Sequence, residues 1–162
     1  MMAMRDLNIA LAGRTRFRLH VRRMRRTTYR LRRNGRSDPK VLAILAVEAF
    51  YRPRAARTIE YLWWLVLSVL GKPSASTITV GIAQARTSHW RDLGLLNSER
   101  FSLRRLARVL DLDANYDVCH RYLSERRMLD ERDVLALTHA YTGGPRRDYA
   151  GMLNEALVAL AH

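Results

Sequence analysis

The sequence predicts a mainly α-helical domain with at most a small β-hairpin. Three observations carry that expectation. Val41 to Phe50 and Thr58 to Leu70 are apolar runs of helical length. Helix start and stop residues bracket them and recur downstream. Only one stretch, Ser76-Thr-Ile-Thr-Val80, is rich enough in β-branched residues to suggest a strand.

In chain order, residues 1–40 read as a basic arm, and Asn34-Gly35 and Asp38-Pro39 break the chain behind it. Asp38 suits an N-cap and Pro39 the first helical position. Val41 to Phe50 is apolar on almost every face, as a central buried helix is. Thr58 to Leu70 is a second apolar helix, stopped by Gly71-Lys72-Pro73. Its longest apolar run, Tyr61 to Leu70, is ten residues; a membrane span needs roughly 20. It therefore reads as a buried helix and not as a transmembrane segment.

Ser74 to Ala85 opens as a loop. Three or four helices follow. Ser98 or Ser102 caps one ending near Leu110, Asp113 caps Ala114 to Arg127, and Asp130 caps Glu131 to Tyr141. Thr142-Gly-Gly-Pro ends the last of these. A final helix runs from about Arg147 to Leu160, with Leu153, Leu157 and Leu160 on one face.

At 162 residues and 48% hydrophobic, the chain is long and apolar enough for one packed domain. Its single cysteine, Cys119, excludes an internal disulfide and reads as a small buried hydrophobe. The five histidines show no metal spacing, so neither metal nor cofactor is expected. The net charge of +14 is uneven: thirteen Lys/Arg against two acids in residues 1–40, sixteen against thirteen beyond. An arginine-rich segment of this kind, residues 1–36, seeks an anionic surface such as lipid or a cell-wall polymer, or nucleic acid, or it is a solvated tail. No signal peptide is evident; Asp6 to Gly13 is too short and polar for an apolar core.

Four short segments carry a family resemblance by their order and spacing. They are Glu48-Ala49-Phe50-Tyr51-Arg52-Pro53-Arg54-Ala55, Gly81-Ile82-Ala83-Gln84, Asn115-Tyr116 with Tyr122-Leu123, and Ala140-Tyr141-Thr142-Gly143-Gly144-Pro145. Together they resemble the soluble lytic transglycosylases, the goose-lysozyme-like branch of the lysozyme fold. The family's segments read E-S-x-F-x-P-x-A, G-L-M-Q, N-I-x-x-G-x-x-Y-L and A-Y-N-A-G-P. The resemblance implies a lysozyme-like domain over residues 41–162 that acts on peptidoglycan at the cell wall or periplasm. With no export signal evident, that expectation needs another export route or host lysis.

The resemblance implies that Glu48 is the acid. It lies in Ile44-Leu-Ala-Val-Glu-Ala-Phe50, and a carboxyl packed among apolar groups loses hydration when ionised, so its pKa should rise. A protonated carboxyl suits general acid catalysis at the bond between N-acetylmuramic acid and N-acetylglucosamine. Glycosidases commonly pair two carboxylates; lytic transglycosylases use one, with the sugar's own 6-hydroxyl attacking. Glu60 is the candidate second carboxylate, and its alternatives are solvent or a pair with Arg57.

Gln84 offers donors and acceptors to sugar groups, and Gly81 suits close approach of substrate to the backbone. By the resemblance, Asn115 lines the cleft, Tyr141 brings its hydroxyl near the Glu48 carboxyl, and Thr142 binds substrate in place of the family's Asn. Thr79 belongs to Ser76-Thr-Ile-Thr79, which also resembles a segment of the peptidoglycan glycosyltransferases. His89-Trp90 reads either as a sugar-stacking pair or as packing. The departures are Ala49 for Ser, Thr142 for Asn, and an inserted helix with Trp63-Trp64, which reads as extra core, a cleft cap, or a partner or membrane contact. Two other classes stay open: a catalytically inactive lysozyme-like protein that binds glycan or scaffolds, and a nucleic-acid binder working through residues 1–36.

Overall fold

A computed structural model describes residues 2–52, 54–142 and 147–161. Pro53 and Gly143-Gly144-Pro145, which belong to the first and fourth segments, lie outside the described residues. The described chain is mainly helical with one two-stranded antiparallel sheet. The helices are α1 (Met2–Arg33), α2 (Pro39–Tyr51), α3 (Arg54–Val69), α4 (Thr87–Asp92), α5 (Leu103–Leu110), α6 (Leu112–Glu125), α7 (Val134–Thr142) and α8 (Arg147–Leu160). Strands β1 (Thr79–Val80) and β2 (Ala85–Arg86) form a hairpin with Thr79 opposite Arg86.

The α2 helix is the axis of the fold. Asp38 caps it, its Oδ1 accepting from the Lys40 and Val41 amides at 2.9 and 3.1 Å, with Pro39 next. Val41 through Val47 are all buried, because α1, α6 and α8 pack around this one helix. Such all-round burial needs the all-round apolar sequence seen there.

The α1 helix corrects the expected arm. Phe17, Val21 and Leu31 are core residues, with Met24 packed against them and Thr28 buried. Phe17 meets Phe50 of α2 edge-on at 5.2 Å between centroids, and the His20 ring lies 3.0 Å from the Ala46 carbonyl oxygen. Arg18 pairs with Glu155 of α8. Beyond the helix, Arg36 grips Asp117 through Nε and Nη2, each at 2.9 Å. The boundary near residue 40 therefore separates no two bodies: one face of the basic segment is wall material of the core.

Other departures are local. Asp111, not Asp113, caps α6, accepting from the Ala114 amide at 2.8 Å. Asp113 instead accepts from Asn34. The α7 helix begins at Val134, behind Asp133 and not Asp130; Asp133 accepts from the Leu135 amide at 2.8 Å. Ser102 caps α5 as expected. Among residues 55–69, the α3 helix buries only Trp64 and Leu67, with Tyr61 partly covered, so it is not the buried helix its composition suggested. No helix among the described residues is long and apolar enough to cross a membrane.

Tyr149 and Cys119 are buried and Tyr141 partly so, and desolvation pushes each above its ordinary pKa; for both tyrosines the Glu48 carboxylate pushes the same way. The folded chain thus keeps protons that the unfolded chain begins to release at about pH 8.5, the thiol first and the phenols nearer pH 10. Their stabilisation is fully present below that onset and is lost as pH rises toward the folded values. The urea midpoint is expected to fall steeply between about pH 9 and 11, and a flat midpoint there would contradict the buried placement.

Candidate functional site

The end of α2 brings Glu48 to the floor of a cleft. Its Oε1 accepts a hydrogen bond from the Tyr149 hydroxyl of α8 at 2.9 Å. Tyr149 is itself buried and stacks on Tyr51, with centroids 5.7 Å apart and planes within 2° of parallel. The Tyr51 hydroxyl in turn donates to Asp148 Oδ2 at 2.7 Å. Packing of α2 on α8 therefore orients the carboxyl through an aromatic pair fixed by its own polar contacts.

The turn between β1 and β2 forms the opposite wall. Gly81 has φ +78°, and a Cβ there would sit 2.3 Å from Asn115 Oδ1. The expected reason for this glycine, close approach by substrate, is therefore wrong: Asn115 fills the space. Asn115 is completely buried; its Oδ1 accepts from the Ala83 amide at 3.0 Å, and its Nδ2 donates to the Val109 and Asp111 carbonyls, each at 2.7 Å. It holds the turn from beneath and does not line the cleft.

Tyr141 donates to the Ala83 carbonyl. One peptide neighbour of Gln84 is thus gripped at its amide by Asn115 and at its carbonyl by Tyr141. Tyr141 lies near enough to Glu48 for the carboxylate to raise the Tyr141 pKa, as expected; the hydrogen bond to Glu48 Oε1 comes from Tyr149, while the Tyr141 hydroxyl donates to the turn.

Gln84 adopts φ +49°, a left-handed conformation uncommon for a side-chain-bearing residue and costing about 1–3 kcal/mol. Its Nε2 donates to the Gly81 carbonyl at 2.9 Å and to Glu60 Oε2 at 3.1 Å, and its Oε1 accepts from Thr79 at 3.2 Å. Glu60 is therefore occupied: Arg52 takes one oxygen and Gln84 the other, in place of the expected Arg57 partner. The Thr142 hydroxyl donates to the Thr138 carbonyl one turn back at 2.9 Å.

The cleft measures about 680 Å³. Glu48, Thr79, Gln84, Tyr141 and Thr142 line it, so five of the seven singled-out residues meet there; Asn115 and Glu60 are not among its lining residues. Tyr149, Arg52, Arg86 and Arg126 also line it, and sequence reasoning missed them. Arg126 lies over the Tyr122 ring, 4.4 Å from its centroid. His89 faces the cleft while Trp90 is core, which splits that pair between its two readings. Burial, with Arg86 and Arg126 nearby, lowers the His89 pKa, which favours the neutral ring in a cationic cleft. Among the described residues no group of three His, Cys, Asp or Glu side chains is placed to hold a metal ion.

Compared with family models, with curated proteins and with solved structures, the chain matches none. A functional class rests on the site itself.

Gly81→Ala tests how that site is built. The substitution forces Ala into a left-handed backbone and drives a Cβ into the Asn115 amide. A loss of about 2 kcal/mol in stability is expected, read by urea titration. An unchanged midpoint would mean that Asn115 does not hold the turn.

Proposed function

We propose that this chain is a lysozyme-like enzyme, related to the lytic transglycosylases, that cleaves peptidoglycan between N-acetylmuramic acid and N-acetylglucosamine. One observation carries the reading. Residues from separate parts of the chain, Glu48, Thr79, Gln84, Tyr141 and Thr142, meet on one cleft whose carboxyl is oriented by a buried tyrosine. Glu48 is the general acid that protonates the leaving oxygen. Gln84 and Thr142 face the glycan.

Glu60 is committed to Arg52 and Gln84, which favours a route needing one carboxylate. In that route the muramyl 6-hydroxyl attacks its own anomeric carbon as the bond to the N-acetylglucosamine oxygen breaks, its proton passes to the Glu48 carboxylate left by the first transfer, and a 1,6-anhydro end remains. Arg86 and Arg126 supply cations for the carboxylates of the peptide stems. The setting is the cell wall, and the exposed arginines of α1 add attraction to anionic surfaces.

The test is digestion of purified peptidoglycan with mass analysis of the released muropeptides. Anhydro products are expected. Hydrated reducing ends would replace the lytic route by hydrolysis. Pelleting with the glycan but no release would make the chain an inactive glycan-binding member of that fold.

A further inference from the structure

The outer face of α3 is apolar and uncovered. Ile59, Leu62, Trp63, Val66, Val69 and Leu70 are each between 42% and 77% exposed. They recur at the three- and four-residue spacing of a single helical stripe, continued into the residue after the helix. The inner face is the anchor: Trp64 Nε1 donates to the Glu99 carbonyl at 2.6 Å, and Ser68 Oγ accepts from the Phe101 amide at 2.7 Å. So the stripe is held outward by a firmly packed helix. Six large apolar side chains together on water exceed the scattered exposure normal for a folded domain.

Two magnitudes narrow the occupant. Sixteen residues of helix reach about 24 Å, short of the roughly 30 Å hydrocarbon core, so α3 can lie on a bilayer but not cross it. Charge selects the surface. The stripe itself carries no charged side chain, and exposed Lys72 and Arg100 lie near its C-terminal end, Arg100 being next to the Phe101 that contacts Ser68. A net charge of +14 opposes pairing with a second copy and favours a negatively charged partner. Trp63, with an apolar body and one polar N–H, suits the headgroup boundary.

We propose that the outer face of α3 lies in the headgroup–acyl boundary of an anionic lipid bilayer, with Trp63 as its interfacial anchor. The inner face of the same helix carries Glu60 to Gln84 in the cleft. Docking therefore sets the cleft about one helix diameter, roughly 10 Å, from the lipid surface. The proposal stands on α3 alone and does not depend on the glycan reading.

The full chain is mixed with vesicles of equal parts phosphatidylglycerol and phosphatidylcholine, and with phosphatidylcholine alone. Trp64 and Trp90 are fully buried, which leaves Trp63 as the reporter. A blue shift and quenching by brominated acyl chains are expected on the anionic vesicles. The Leu62→Gln/Val66→Gln pair adds no charge and should weaken flotation on the order of 30-fold. If that pair misfolds by circular dichroism, Val69→Gln/Leu70→Gln at the most exposed end replaces it. Flotation unchanged in a folded pair would assign binding to charge alone and overturn the proposal. Absence of vesicle binding by the wild-type chain overturns it too. So does a lipid-free dimer with Trp63 already blue-shifted, since a second copy would then cover the face. Muropeptide release from soluble fragments stays at wild-type level in these variants if the glycan reading holds, so each idea can fail separately.

Discussion

Glu48→Gln is expected to cut muropeptide release by about 10²–10⁴-fold, the usual worth of a positioned general acid. The amide keeps the size and shape of the acid, and its oxygen can still accept the Tyr149 hydroxyl that now bonds Oε1. It cannot give a proton to a leaving oxygen. Because no packing changes, thermal stability should stay within about 1 kcal/mol of wild type. The comparison is made under single-turnover conditions on purified glycan strands, with circular dichroism alongside. Release within a few-fold of wild type would take Glu48 out of the chemistry and leave the cleft as a binding groove. Loss of activity together with loss of fold would say instead that the Glu48–Tyr149 contact is structural.

Where side chain and backbone agree locally, the sequence was readable. Asp38-Pro39 starts α2, Ser102 starts α5, and Arg147 to Leu160 forms α8. The errors came where two residues of one type compete. Asp111 and Asp113 both stand near the start of α6, and the choice is made by Asn34, which draws Asp113 away. That pairing spans 79 positions and leaves no local trace. The α3 stretch misled for the opposite reason. Its outer and inner faces are both apolar, so hydropathy alone predicted burial for a helix that buries one side.

The candidate site was legible as chemistry and less so as geometry. Glu48 and Gln84 stand out because they fall in segments whose order and spacing resemble the lytic transglycosylases, and both line the cleft. Asn115 has the same polar vocabulary, yet its side chain bonds to the backbone of Ala83, Val109 and Asp111. Nothing in a lone Asn distinguishes a ligand contact from a clamp on a turn. Tyr149 was missed because it reaches Glu48 across 101 positions. Tyr51 had a signal that went unused: it sits three residues after Glu48 on the same helix, so the two share a face.

Phe17→Ala is expected to destabilise the fold by about 3–5 kcal/mol, as removal of a buried phenyl ring commonly does. Against a typical total of 5–15 kcal/mol that is a large share. Phe17 is fully buried and stands edge-on to Phe50. In the sequence it is one apolar residue among arginines, which is why charge dominated the reading. The stripe was nonetheless present: Phe17, Val21, Met24, Thr28 and Leu31 repeat at alternating steps of four and three, the period of a packed helix face. The charges sit on the other side, with Arg16, Arg22, Arg23 and Arg26 exposed. Truncating Arg16 or Arg23 to Ala should therefore change stability by no more than about 0.5 kcal/mol. If the segment served only as a charged arm, the order would reverse, with Phe17→Ala silent in urea titration and the arginine variants altering surface binding alone. The structural order has a consequence for the cleft. Phe50 follows Glu48 by two residues on α2, so losing the Phe17 ring loosens the end of the helix that carries the acid. Removing residues 1–36 is then expected to unfold the domain, and a truncated chain that stays folded would return the basic segment to the role of an appended arm.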